Sequence, residues 1–192
     1  MNTSVMFIND GLFGITDAAS IPADTARWSA GLAAPMDWGA WVSTGIHTGY
    51  VRIRAEVLSA APSVEEADWE EIVEISVRSL EGDLRITSDG EITPDTLPTL
   101  NAQGPGWYRV RVHARGRSIN PDGVAEEPTE EYLITCWPQG PADHLVIRTS
   151  PMIEASQQAH ADDPPPQPAA HPAPTPMSAE RASLLRHLKR RR

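Results

Sequence analysis

Apolar and polar residues alternate with a period of two along most of the chain, which is the pattern of strands with one buried face. In "GYVRIRAEVL", Val51, Ile53, Ala55 and Val57 fall on one side and Arg52, Arg54 and Glu56 on the other; "EIVEISVRSL" sets Val73, Ile75 and Val77 against Glu74, Ser76 and Arg78. Then "GDLRITSDGEI" turns Leu84 and Ile86 inward between Glu81-Gly82-Asp83 and Asp89-Gly90. Next, "GWYRVRVHARGR" separates Tyr108, Val110, Val112 and Ala114 from Arg109, Arg111, His113, Arg115 and Arg117. Two more strands, "EEYLITCWP" and "DHLVIRTS", flank Pro138-Gln139-Gly140-Pro141, and at the front "SVMFIN" and "LFGIT" flank Asn9-Asp10-Gly11, which predicts a tight hairpin. Residues 23 to 34 read as a short helix, and no long helical pattern precedes residue 178. Short strands with Gly, Pro, Asn and Asp in the turns predict an all-β fold, a single antiparallel β-sandwich over residues 1 to 161.

The pattern stops at "DDPPPQPAAHPAPTP", whose last thirteen residues include seven prolines. Each proline fixes its own φ and lacks a backbone donor, so residues 162 to 177 read as a semi-rigid polyproline-like spacer, or as a ligand for a proline-binding module. Beyond it, "SAERASLLRHLKRRR" places Ala182, Leu185 and Leu188 on one helical face with Leu184 beside them and Ser178 as N-cap. Arg181, Arg186, Lys189, Arg190, Arg191 and Arg192 make it a basic amphipathic helix or tail, residues 178 to 192. A helix this short is marginal alone. An anionic membrane, nucleic acid and an acidic groove, including this protein's own body, all fit it, as does a plain solvated tail.

Charge sharpens that division. Residues 1 to 160 hold 23 acids against 10 arginines, a formal −13, whereas residues 178 to 192 hold six bases against Glu180, and the whole chain carries −10. An acidic body steers toward basic partners and away from nucleic acid; the basic tip does the reverse. The single cysteine, Cys136, excludes a disulfide framework within one chain and a thiolate zinc site. The N-terminus lacks a secretory pattern and no apolar run is long enough for a membrane helix, so the cytoplasm is the expected address.

Four arginines in one outward row raise the question of what they face. Extended throughout, Arg109 to Arg117 would span roughly 27 Å, enough to follow phosphates or an acidic ridge. Glu56, Glu70 and Glu74 on other outward faces offer ordinary cross-strand pairs instead, and pairing is the favoured expectation. Gly116 marks the end of the strand before Arg117.

The acids make the stronger functional case. "VEEADWEE" gathers Glu65, Glu66, Asp68, Glu70 and Glu71, and "GVAEEPTEE" gathers Glu126, Glu127, Glu130 and Glu131; such turns imitate phosphates toward a basic groove, or simply keep the surface solvated. Of the six tryptophans, Trp38 and Trp41 lie in a Gly- and Pro-rich segment and are the candidate interface anchors. No spacing among His47, His113, His144, Asp143 and Cys136 enforces a catalytic site, and Cys136 shares the inward side of Tyr132 and Ile134, so no enzyme, cofactor or metal is expected.

The order "WEEIVEISVRSLEGDLRITS", then a Gly with an aromatic-led strand, then "YLITCWP" ending in Cys136-Trp137, resembles competence protein J, the bacterial inhibitor of the competence DNA-entry nuclease, over roughly residues 4 to 150. The spacer and basic helix depart from that pattern. The resemblance implies a binding protein of the inhibitor or immunity type whose partner is a basic nuclease or toxin. The alternative is an adaptor or structural module whose basic helix docks on membrane, nucleic acid or another protein.

Overall fold

A computed structural model of the chain describes residues 2–17, 21–63, 68–88, 91–92, 96–101 and 103–162. The basic tail and all but the first residue of the Pro-rich spacer lie outside the described residues. In chain order the elements are β1 (Asn2–Ile8), β2 (Leu12–Thr16), β3 (Ala33–Pro35), β4 (Ala40–Ser43), β5 (Thr48–Val57), β6 (Glu71–Ser79), β7 (Arg85–Ser88), β8 (Glu91–Ile92), β9 (Gly106–Arg115), β10 (Val124–Ala125), β11 (Glu131–Pro138), β12 (Leu145–Arg148) and the helix α1 (Pro151–Ala159).

The fold is mostly β, in two sheets. The larger runs β1-β5-β11-β9-β6-β12 with β10 beside β5, and the smaller runs β3-β4-β2-β7-β8. Both contribute to one hydrophobic cluster, with Phe13 and Ile15 from the smaller sheet and Ile53, Val110 and Ile134 from the larger. Phe13 meets Tyr132 edge to face with ring centroids 5.2 Å apart, an arrangement that suits the quadrupoles of both rings.

The alternation places the longer strands but misses the short β3, β4 and β10, and it does not give all the strands' partners. Purely antiparallel pairing is corrected: β5 runs parallel to β11 and to β10, so the larger sheet is mixed. A parallel pair needs a long crossover, and here the crossover contains β6 to β9. The front hairpin is also corrected. Asp10 and Gly11 do take the positive φ of a tight turn, 55° and 69°, yet past a single Asn9 to Leu12 bridge the two arms diverge. β1 pairs with β5 in one sheet and β2 with β4 and β7 in the other. The turn is therefore a corner, and it is held by Gly11 N donating to His47 O at 2.8 Å and Thr44 N donating to Gly11 O at 2.8 Å.

The short helix expected over residues 23 to 34 is instead two single 3-10 turns, Ala23–Thr25 and Trp28–Ala30, followed by β3. Gly31 ends the second turn with φ 77°, and a Cβ there would sit 2.8 Å from the Ile153 carbonyl oxygen. That close approach is where α1 packs. α1 itself carries too little pattern to read from sequence: only Ile153 is buried, and its start is a Ser150 N-cap accepting from Ile153 N at 3.2 Å, followed by Pro151.

Gly49 shows how tightly β10 sits. Its φ is +136°, and a Cβ would lie 2.0 Å from the Ala125 carbonyl oxygen. Gly49→Ala should therefore cost about 2–4 kcal/mol by combining backbone strain with a clash against a neighbouring strand. Urea denaturation checks it; a loss under about 0.5 kcal/mol would show that β10 is not held against β5.

Candidate partner-binding surfaces

The arginine row faces away from the shared core, as its phase predicts, but it is not open to solvent. Arg109, Arg111 and His113 are buried because two loops fold across this face. Arg109 Nη1 and Nη2 donate to the carbonyl oxygens of Ala142 (3.2 Å) and Asp143 (2.8 Å). Arg111 does the same to Ser63 (3.1 Å) and Pro62 (3.3 Å) and lies over the Trp137 ring. Between them Glu74 accepts from Arg109 Nε at 3.1 Å and from Arg111 Nε at 2.7 Å. A guanidinium fork reaches a carboxylate and carbonyls at once, as a lysine would not. The row thus fastens two loops to the sheet, which favours pairing over capture of an external anion.

The row continues in the same manner. Arg115 Nη2 and Arg52 Nη1 share Glu131 at 2.5 and 2.9 Å. Burial alone would raise that carboxyl, but the two arginines outweigh it and hold it below the usual range. Trp69 is buried, with Arg54 and Arg115 over its ring and His113 beside it.

His113 sits among these cations. Burial, with Arg111 adding to it, lowers its pKa from 6.5 to about 4, although its Nδ1 is 3.3 Å from the Leu133 carbonyl oxygen and Glu74 acts in the opposite direction. The folded protein therefore refuses a proton that the unfolded chain takes up near pH 6.5. Stability is full above that pH, falls as pH drops toward about 4, and loses nothing further from this group below it. His113→Gln should flatten that part of the profile. Melting temperatures of both proteins between pH 7.5 and 4 check this, and parallel curves would refute it.

A second buried polar cluster lies where β9 ends. Gly116 takes φ 82°, and beyond it Arg117 turns in to Glu71 at 2.7 Å and to Ser43 Oγ at 3.2 Å. Ser150 Oγ donates to the other oxygen of Glu71, tying the start of α1 to β6. Glu130 is fully buried. It accepts from Gly45 N at 3.0 Å, Ile46 N at 2.6 Å and the Tyr132 hydroxyl at 2.5 Å. Burial first, then Glu130, pushes the Tyr132 phenol well up, so it stays a donor.

These contacts sort the candidate residues. Glu130 is corrected from a partner-facing acid to a buried one whose oxygens are taken by backbone donors and Tyr132, and Glu131, half-buried, is held by Arg52 and Arg115. Within "VEEADWEE", Glu71 is buried and Glu70 accepts from Gly116 N at 2.9 Å. Asp68 is exposed, while Glu65 and Glu66 lie outside the described residues. Glu126 and Glu127 remain: both are exposed and neither makes an ion pair among the described residues. Trp38 and Trp41 are half-buried. Trp41 stands on the outer face of the smaller sheet over Gly14, where a Cβ would meet its ring at 3.1 Å. Cys136 is buried, and burial raises its thiol from 9.0 to about 12, which leaves no thiolate at neutral pH.

One surface escaped the sequence reading. Phe7 and Tyr50 sit opposite one another on β1 and β5, with rings 5.3 Å apart, and both are more than 40% exposed. Val5 follows along β1, and Val124, 70% exposed, pairs with Thr48 on the other flank of β5. Opposite residues in a ladder share a face, so these four side chains form one apolar patch, and Glu126 and Glu127 follow directly from it. The signal was present in "SVMFIN": Val5 and Phe7 occupy the phase that a half-buried strand gives to polar residues.

The chain matches no protein-family model and no curated protein. Among solved structures it is similar to a protein titled "Crocagin biosynthetic gene J", at 18% identity over 72% of this chain and 96% of that chain, with a TM-score of 0.43. Among the described residues no helix is long and apolar enough to cross a membrane.

Proposed function

We propose that the chain is a two-layer β-sandwich that acts in the cytoplasm as a non-catalytic binding protein of the inhibitor or immunity type, blocking a basic enzyme such as a nuclease. The observation that carries this reading is a combination of exposed acids and exposed apolar surface: Glu126 and Glu127, which make no ion pair among the described residues, follow Val124 in the chain, and Val124 shares a face of the sheet with Tyr50 and Phe7. Free carboxylates steer a basic protein inward and set its register, and the apolar side chains supply contact that excludes water. The resemblance to competence protein J points to a nuclease as the enzyme blocked.

The test is affinity capture from bacterial lysate with the full chain, with a truncation at residue 161 and with Glu126→Gln/Glu127→Gln, followed by inhibition assays on any captured nuclease. A basic nuclease held by the wild type, at least tenfold weaker on the variant and weakened by salt, is expected. Capture indifferent to the two carboxylates overturns this surface, and capture that depends on residues 162 to 192 instead moves function to the tail.

A further inference from the structure

The apolar patch is unusual in being uncovered on a chain that carries its own complementary segment. Residues 178 to 192 bring Leu184, Leu185 and Leu188 together with six bases; on the body, Val124 shares a face with Tyr50 and Phe7 and is followed by Glu126 and Glu127, exposed carboxylates with no ion pair among the described residues. Apolar stripe and basic flank on the one meet apolar patch and acidic flank on the other. Reach is sufficient. From Asp162, where the described residues end, the Pro-rich spacer covers up to about 50 Å at ~3.1 Å per residue, and a body of this size is about 40 Å across.

We propose that residues 178 to 192 dock on their own chain's patch, with the leucines on Phe7, Tyr50 and Val124 and the arginines toward Glu126 and Glu127. The tail then competes with any external basic partner for the surface described above; this consequence rests on that reading, whereas the docking does not. Because a short helix is marginal alone, docking orders it. Tethering holds the affinity requirement low, since a linked segment faces its site at an effective concentration in the millimolar range.

The test is amide hydrogen exchange on the full chain, beside a synthetic peptide of residues 178 to 192. The tail amides should exchange at least fivefold more slowly in the intact chain than in the peptide, with matching protection at residues 5–7 and 48–52. Phe7→Ser, which alters an exposed side chain, and Glu126→Gln/Glu127→Gln should each remove most of that difference. Exchange equal to the peptide's, or protection that both variants leave intact, overturns the proposal. So does protection that grows with protein concentration, which assigns the tail to a second copy, or that arises only with anionic vesicles or duplex DNA. If tail protection is absent while the two carboxylates still govern nuclease capture, only the docking fails; if the tail is protected and nuclease capture ignores the carboxylates, only the partner reading fails.

Discussion

Glu130→Ala should lower the melting temperature by about 10 °C or more. The carboxylate is fully buried and serves three donors, the amides of Gly45 and Ile46 and the Tyr132 hydroxyl. Alanine accepts from none of them. A buried donor left without a partner costs about 1–3 kcal/mol, so the three together cost roughly 3–9 kcal/mol, and a chain of this size loses about 2–4 °C per kcal/mol. Glu130→Gln should recover about half the loss, since its amide keeps one acceptor oxygen but turns a second donor against donors. Calorimetry on the three proteins checks the ordering. An alanine variant melting within 2 °C of wild type would return Glu130 to the exposed acids with which the sequence groups it.

Glu74→Ala should be comparably damaging, for an electrostatic reason. It would leave Arg109 and Arg111, both nearly inaccessible to solvent, without the only carboxylate among the described residues that pairs with both. Breaking a buried ion pair from one side costs about 3–5 kcal/mol, because the remaining charge stays buried. Carbonyl oxygens of Pro62, Ser63, Ala142 and Asp143 still solvate the two guanidiniums, so relief comes by releasing those loops. Denaturation should therefore show the stability loss, and limited proteolysis should cut faster within residues 58–69 and 139–144. Unchanged stability with unchanged cleavage would mean that the arginines do not fasten the loops. Neither effect depends on a partner, which separates both predictions from the proposed function.

The two acidic stretches show what pattern conveys and where it stops. "GVAEEPTEE" reads as one cluster, yet Glu126 and Glu127 face solvent while Glu130 is sealed and Glu131 is shared by two arginines. Four like residues within six positions acquire opposite roles because the backbone passes from a turn into β11 between them. The phase of Arg109, Arg111 and His113 was legible. Their burial was not, because the covering loops come from residues distant in sequence. The same limit explains the N-terminal corner: Asn9-Asp10-Gly11 determines a tight turn, but whether its arms pair depends on competition from β5 and β4.

By itself the sequence determined the longer strands, through period-two alternation, and their punctuation by Gly, Pro, Asn and Asp, but not the short β3, β4 and β10. It also determined the inward side of Cys136 and the split between an acidic body and a basic tip. These follow from local sterics, side-chain phase and composition, which need no knowledge of neighbours. Only the tertiary structure decided the order of the strands, the parallel β5 to β11 pairing, which carboxylates are internal, and the exposure of Phe7 and Tyr50. Those depend on which distant segments come into contact, and burial and charge pairing are properties of that contact rather than of any residue alone.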